Sequence, residues 1–321
     1  MYRHLWKRIL FPIFILVIMG SEGNASGILK VVTTVSPITN IVQNIGGNRI
    51  DLHGIIPEGA DSHTFEPAPG DVKYILGADL IVLNGLNLEA PIEKLISANK
   101  NNSARKLSLG ERAIKREDWI FDFSFPKEKG DPNPHLWLNV QYAIRYAGLV
   151  KDELIKNDPG NSDYYEKRSA VYLGRLNRMD KAIEDAINTI PNKNRRLLTY
   201  HDSWAYFARR YGMQVIGAIQ PSSFAEPSPK EMARLIAQIK AEGLPAIFGS
   251  EVFPSRVLEQ IAREAGIKFV TNLRDDDLPG RPGDTDHSYI GMMLENVRSM
   301  VSALGGDTKG LDMINPDNLK D

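Results

Sequence analysis

The 321-residue sequence contains no cysteine, and this absence removes several kinds of chemistry. The chain forms no disulfide and offers no thiolate to a metal ion. Lipid attachment through an N-terminal cysteine is excluded for the same reason. The formal net charge is only −1, so nothing in the composition indicates a nucleic-acid partner. After residue 19, no uncharged apolar run approaches the roughly 20 residues that a membrane-spanning helix needs.

The first 27 residues have the pattern of a secretory signal peptide. A basic start that includes Arg3 is followed by an apolar core over 9–19 and by small residues over 23–27. An uncleaved membrane anchor is the alternative, although the apolar core is short for a bilayer. We therefore expect an exported protein without a lipid anchor, and the periplasm is the expected compartment.

Strand and helix patterns alternate in both halves of the remaining chain, which predicts an α/β fold with mainly parallel sheets. β-Branched and apolar runs predict strands over 28–35, 49–56, 80–83, 197–200, 214–219, 246–252 and 267–273. Helical patterns lie between them, the clearest being 37–45, 71–76, 203–211, 229–242, 254–265 and 287–304.

One long helical pattern over 162–190 separates the two halves. Ser162 can cap its start and Pro191 closes it. At about 1.5 Å per residue the helix is roughly 40 Å long, enough to run the length of a two-lobed molecule. We therefore predict one α/β lobe over 28–160, a linking helix over 161–191 and a second α/β lobe over 192–321. A surface helix of a single domain is the alternative.

Histidine is scarce, yet three of the six histidines stand in short, unusual contexts at nearly equal intervals. These are His63, His135 and His201, and an aspartate cluster over 275–277 follows after a similar interval. Each lies after a predicted strand or ahead of a helix, where open α/β sheets bind ligands. Imidazole plus carboxylate suits Zn²⁺ first, while Mn²⁺ and Fe²⁺ stay open.

Each of these residues also has an ordinary interpretation. A single loop histidine is usually a surface or hydrogen-bonded residue, and the aspartate cluster fits a solvated turn before Pro279. We expect His53, within a predicted strand, to be structural, and we expect His287 to have no ligand role. The hypothesis of a metal site therefore depends on convergence of the three selected histidines in space.

At these residues the chain resembles the metal-specific solute-binding proteins of bacterial ABC transporters, the zinc and manganese receptors of the ZnuA/TroA type. The resemblance covers the whole chain after the signal peptide, and its segments occur in the family's order. They are Thr-Thr-Val-Ser-Pro-Ile at 33–38, Gly-Ala-Asp-Ser-His-Thr-Phe-Glu-Pro at 59–67, 78–86, Asn-Pro-His-Leu-Trp-Leu at 133–138, His-Asp-Ser-Trp-Ala-Tyr-Phe at 201–207, 247–251 and 289–297.

The resemblance implies two α/β lobes joined by one long helix, with a metal cleft between the lobes. It places the family's ligands on His63, His135, His201 and Asp276, with Asp275 or Asp277 as the fourth if the loop is shifted by one. Manganese receptors of the family usually carry glutamate at the third position, so His201 favours zinc. Many zinc receptors also carry a histidine-rich acidic loop between the first two ligands, and residues 117–133 contain no such histidines.

We therefore expect a periplasmic receptor, not an enzyme, that captures Zn²⁺ and delivers it to the transmembrane permease of an ABC importer. We expect a monomer without nucleic-acid partners, permease docking through carboxylates such as Glu226, and affinity that falls below about pH 6 as histidines protonate. Loading by a periplasmic metallochaperone stays open. The alternatives are a manganese or iron(II) receptor of the same fold, a secreted zinc hydrolase, and a receptor for an organic ligand.

Overall fold

The computed structural model describes residues 27–99, 103–219, 227–251 and 255–321. Nearly all of the expected signal peptide, and also Glu226, lie outside the described residues. Within the described ranges, no helix has both the length and the apolar character needed to cross a bilayer.

The first half of the chain builds an α/β lobe. Its strands and helices are β1 (Leu29–Thr33), α1 (Ser36–Gly46), β2 (Ile50–Gly54), α2 (Pro69–Gly77), β3 (Leu80–Leu83), α3 (Ala90–Ala98), β4 (Arg105–Ser108), α4 (Leu109–Ala113) and α5 (Val140–Asn157). The four strands form a parallel sheet in the order β2-β1-β3-β4. Strand β3 is buried along its whole length, as expected where helices cover both faces of a sheet.

A single helix, α6 (Ser162–Asn188), connects the lobes. It has 27 residues, which corresponds to about 40 Å. Helices α1 and α5 pack against it from the first lobe. Its buried stripe recurs at helical spacing and includes Tyr165, Tyr172, Leu176, Met179 and Ile183.

The second half repeats the architecture of the first. Its elements are β5 (Arg196–Thr199), α7 (Ala205–Tyr211), β6 (Gln214–Ala218), α8 (Pro229–Glu242), β7 (Ala246–Ser250), α9 (Arg256–Ala265), β8 (Lys268–Leu273) and α10 (Tyr289–Ala303). The strands form a second four-stranded parallel sheet in the order β6-β5-β7-β8. Because α10 packs against α6, the linking helix contacts both lobes.

The end of the chain returns to the first lobe. The side-chain oxygen of Asn318 accepts hydrogen bonds from Asn40 (2.9 Å) and Asn44 (2.8 Å) of α1. The guanidinium of Arg168, which is largely buried in α6, donates to the carboxylate of Asp321 at 2.9 Å. These contacts tie the last residues to α1 and the linking helix.

The α/β prediction is confirmed, with two lobes and one linking helix. Predicted helix 229–242 has the same bounds as α8, and most other predicted elements differ by one or two residues at their ends. The long helix ends at Asn188 instead of Ile190, since a residue that precedes proline is disfavoured in helical backbone. Strand β4 was not predicted, because only Leu107 of its four residues is buried and no apolar run marks it.

We predict that Ile183→Ala lowers the free energy of unfolding by about 2–5 kcal/mol, because it removes a fully buried side chain from the linking helix. Val171→Ala on the same helix is the matched control, since Val171 is 52% exposed, and its change should stay within about 0.5 kcal/mol. Urea denaturation of the chelator-treated protein measures both. Equal losses for the two variants would contradict the placement of the core stripe.

Candidate metal centre

Loops at the carboxyl ends of strands carry two of the three selected histidines. His63 lies between β2 and α2, and His201 follows β5 after one residue. In each sheet, the second strand along the chain lies on one side of the first strand and the third lies on the other side. Because successive strands are added on opposite sides of the first strand, a crevice opens at the carboxyl ends of the strands. Ligands bind in this crevice in open α/β sheets.

His135 comes from a buried turn ahead of α5. The turn is anchored by a polar network, in which the side-chain amide of Asn84 donates to the carbonyl of Pro134 at 3.0 Å. The hydroxyl of Tyr146 in turn donates to the side-chain oxygen of Asn84 at 2.8 Å. Because these groups are buried, each needs its partner, and the network fixes the loop that presents His135.

The three histidines converge. Their ligand nitrogens all lie within 4.8 Å of one another. The Nε2 atom of His135 is 3.2 Å from Nε2 of His63 and 3.1 Å from Nε2 of His201. Three nitrogens at about 2.0–2.1 Å from a tetrahedral Zn²⁺ would be about 3.3 Å apart. The spacing is therefore close to one edge of a zinc coordination tetrahedron.

The tautomer of His135 suits a metal ligand. Its Nδ1 lies 2.8 Å from the side-chain oxygen of Asn133, which can only accept, so Nδ1 carries the proton. The Nε2 atom then has a free lone pair that faces the other two rings. The side-chain amide of Asn133 donates to Asp122 and to the carbonyl of Asp202, both at 2.8 Å. Asn133 therefore fixes both the ring and its protonation.

Burial keeps the three imidazoles neutral. It lowers the pKa of His63 to about 3, with the neighbouring His201 as the second cause. Burial also lowers the pKa of His135 well below its ordinary value and lowers that of His201. At neutral pH all three rings are therefore unprotonated, and a metal ion would not have to displace a proton from them.

The aspartate cluster lies beside the histidines. The carboxylate of Asp275 is 3.7 Å from Nε2 of His201. Asp276 is buried, and its Oδ2 accepts from the hydroxyl of Ser62 at 2.8 Å, whereas its Oδ1 has no hydrogen-bond partner among the described residues. Oδ2 of Asp277 accepts from the backbone of Gly59 at 2.7 Å. Asp275 and Asp276 each have one buried carboxylate oxygen without a hydrogen-bond partner among the described residues, which makes these two the candidates for a fourth ligand.

Burial raises the pKa of both Asp275 and Asp276 to about 8, and each carboxylate also feels a neighbouring acid. The pKa of Asp277 is raised to about 6 by burial. In the metal-free protein, Asp275 and Asp276 therefore hold protons near neutral pH. A divalent cation would replace those protons and compensate the buried negative charge.

Two side chains, the partly buried Glu251 and the fully buried Trp137, hold the aspartate loop in place. One carboxylate oxygen of Glu251 accepts the backbone N–H groups of Asp275 (2.9 Å), Asp276 (3.2 Å) and Asp277 (3.2 Å). The indole N–H of Trp137 donates to the carbonyl of Asp275 at 2.7 Å, from the first half of the chain to the second. Both residues lie in the family segments at 133–138 and 247–251, but no local pattern in the sequence indicates their roles.

The remaining described histidines lie outside this cluster. His53 is in β2, where its ring stacks on Tyr74 with centroids 3.6 Å apart. His287 precedes α10, with Nδ1 at 3.0 Å from the carbonyl of Pro279 and Nε2 at 3.6 Å from the carboxylate of Glu58. Both have partners that account for their positions without a metal.

Comparison with known proteins identifies the family of this chain. A family model described as ZnuA, zinc-uptake complex component A periplasmic, matches residues 31–303. The metal ABC transporter substrate-binding lipoprotein FimA of Streptococcus parasanguinis is 33% identical over 290 residues, which cover 89% of this chain and 92% of FimA. The manganese ABC transporter substrate-binding lipoprotein PsaA of Streptococcus pneumoniae is 32% identical over 291 residues, with coverage of 88% and 91%.

Solved structures show the same fold. The periplasmic zinc binding protein TroA of Treponema pallidum superposes with a TM-score of 0.77 at 28% identity, covering 87% of this chain and 99% of TroA. Fold and site thus define a two-lobed substrate-binding protein of a metal ABC transporter. The chain belongs to the ZnuA family, whose model spans nearly all of the described residues.

We predict that Asn133→Ala lowers the affinity for a divalent metal by roughly ten- to hundredfold, because it releases the ring of His135 and its tautomer. Asn177→Ala, on the exposed face of α6, is the matched control and should leave affinity unchanged. Competition against a chromophoric chelator measures both variants. An unchanged affinity for the Asn133 variant would show that the ring does not depend on this hydrogen bond.

Proposed function

We propose that this protein captures Zn²⁺ in the periplasm through His63, His135, His201 and Asp276, and delivers it to the transmembrane permease of an ABC importer. The observation that supports this most directly is the convergence of the three histidines, with Nε2 of His135 at 3.2 Å from Nε2 of His63 and at 3.1 Å from Nε2 of His201. Neutral imidazole is a preferred zinc ligand, and the buried carboxylates supply negative charge beside it.

The choice of zinc rests on the third ligand. Carboxylate oxygen suits Mn²⁺, whereas imidazole suits Zn²⁺. The names of the relatives differ on this point, since PsaA is named for manganese and TroA for zinc. Because His201 supplies imidazole at the third position, zinc is the proposed cargo, and Mn²⁺ or Fe²⁺ is the competing one.

The fourth ligand is proposed to be Asp276, on which the family resemblance places it. Its Oδ1 and the Oδ2 of Asp275 are both buried and have no hydrogen-bond partner among the described residues. Asp275 is the competing candidate, given its 3.7 Å approach to His201. A site with four protein ligands leaves no open position for a reactive water, and this favours transport over hydrolysis. We further propose a monomer, with lobes over 28–160 and 192–321 and a linking helix over 161–191.

We predict about one zinc per chain when the chelator-treated protein is dialysed against equal concentrations of Zn²⁺, Mn²⁺ and Fe²⁺ and its metal content is measured by mass spectrometry. His201→Glu should lower zinc affinity by at least about tenfold relative to manganese, because it replaces imidazole with a hard oxygen ligand. His53→Ala is the control, since His53 lies outside the cluster. Preferential manganese binding by the unmodified protein would overturn the choice of zinc.

We predict that zinc binding releases about one proton or more at pH 7, because Asp275 and Asp276 have pKa values raised to about 8 in the metal-free protein. Affinity should therefore rise with pH up to about 8 and then level off. Because burial lowers the pKa values of the histidines, we expect imidazole protonation to reduce zinc affinity only below pH 6. Calorimetry in buffers of different ionisation enthalpy counts the released protons.

Two variants separate the candidate carboxylates. If Asp276 is the ligand, Asp276→Asn should weaken zinc binding by at least about tenfold and reduce proton release, while Asp275→Asn should have the smaller effect. Removal of a buried acid should also stabilise the metal-free protein at pH 8, because the folded state then no longer has to bury that charge. The reverse order of affinities would assign the ligand to Asp275.

A further inference from the structure

A segment rich in aromatic residues lies next to the histidine cluster and has no part in the proposed coordination. Trp119, Phe121, Phe123 and Phe125 alternate along residues 119–126, which we call the aromatic strap. Phe123 is 49% exposed, whereas Phe125 is half-buried. The strap lies between the first two proposed ligands, where many zinc receptors of the family carry a histidine-rich loop.

The strap is hydrogen-bonded to the second half of the chain. The backbone N–H of Ser124 donates to Oδ2 of Asp202 at 2.8 Å, and the N–H of Ile120 donates to the hydroxyl of Tyr206 at 3.1 Å. Within the strap, the N–H of Asp122 donates to the carbonyl of Phe125 at 3.1 Å. Since Asp202 follows His201 directly, one end of the strap is fixed beside a proposed ligand.

Phe125 is the member of the strap that reaches the site. Its ring centroid lies 5.8 Å from that of His63 and 5.9 Å from that of His135. His135 is fully buried, while Phe125 is half-buried, so the phenyl ring touches the cluster on one side and meets solvent on another. A phenyl ring offers no ligand atom, so its contribution is to occupy space and exclude water.

We infer that Phe125 controls the rate at which metal exchanges with the cluster. Release of a bound ion requires water or an incoming ligand to approach it while the protein ligands leave one by one. The phenyl ring blocks that approach, and the Ser124–Asp202 hydrogen bond holds the ring in place. Displacement of the strap opens the path in both directions, so the ring slows entry and exit together.

This inference rests on the proposed function, because it concerns exchange of the metal that the three histidines bind. It also predicts a kinetic signature that differs from that of a ligand. Loss of a ligand raises the dissociation rate and leaves the association rate nearly unchanged, so affinity falls. Loss of a blocking side chain raises both rates, so affinity changes much less than either rate.

The test is stopped-flow kinetics on the full chain. Zinc release into excess chelator gives the dissociation rate, and mixing of the metal-free protein with Zn²⁺ alone gives the association rate. Phe125→Ala should accelerate both by roughly tenfold, because the path is no longer blocked. Phe125→Leu, which keeps much of the apolar bulk, should restore most of the slow exchange, and Phe123→Ala on the exposed side of the strap should match the unmodified protein.

A second variant tests the strap without altering Phe125. Ser124→Pro removes the N–H that donates to Asp202 and should accelerate exchange in the same way as Phe125→Ala. The Ser124→Pro variant also tests the inference if the Phe125→Ala protein does not fold. Unchanged rates in both variants, or a faster release with an unchanged association rate, would overturn the inference. If exchange is unaffected but the unmodified protein binds zinc, only the inference about Phe125 is wrong and the proposed function stands. If the unmodified protein does not bind zinc, the proposed function and the inference about Phe125 are both wrong.

Discussion

The proposed site depends on the close approach of three neutral imidazoles, of which His135 is fully buried and His63 and His201 are partly buried. The two Nε2–Nε2 separations of 3.1–3.2 Å would bring positive charges together if adjacent rings were both protonated, and burial lowers the pKa of His63, His135 and His201 from the ordinary value. The rings come from both halves of the chain, so the site exists only when the lobes are held together. The linking helix α6 and the end of the chain, which binds back to α1, supply that connection.

The acidic side of the site illustrates a conflict between stability and function. Asp275 and Asp276 are buried beside the partly buried Glu251, and desolvation raises the pKa of each. Without a cation, these acids hold protons and accept hydrogen bonds. A rise in pH removes the protons and therefore destabilises the metal-free protein. Under the proposed function, a bound cation would compensate this buried negative charge, so the acids that destabilise the metal-free protein would stabilise the metal-bound one.

Much of this architecture could be read from the sequence, because local signals agreed with the fold. Ser228 and Glu231 form a capping box at the start of α8, and Gly243 ends that helix with φ 60°, so the sequence predicts both ends of α8 correctly. The three histidines stood out by their scarcity and context. The sequence could not show how Asn133 fixes the tautomer of His135, or that one oxygen of Glu251 supports the whole aspartate loop. Those roles depend on contacts between residues far apart in the chain, which leave no local pattern.

The central claim is that the three imidazoles and one carboxylate bind a single zinc ion. X-ray absorption spectroscopy at the zinc edge of the stoichiometrically loaded protein tests it most directly. We expect nitrogen and oxygen neighbours at about 2.0–2.1 Å, with the outer-shell scattering of three imidazole rings. A spectrum without imidazole scattering, or one dominated by water oxygens, would contradict it.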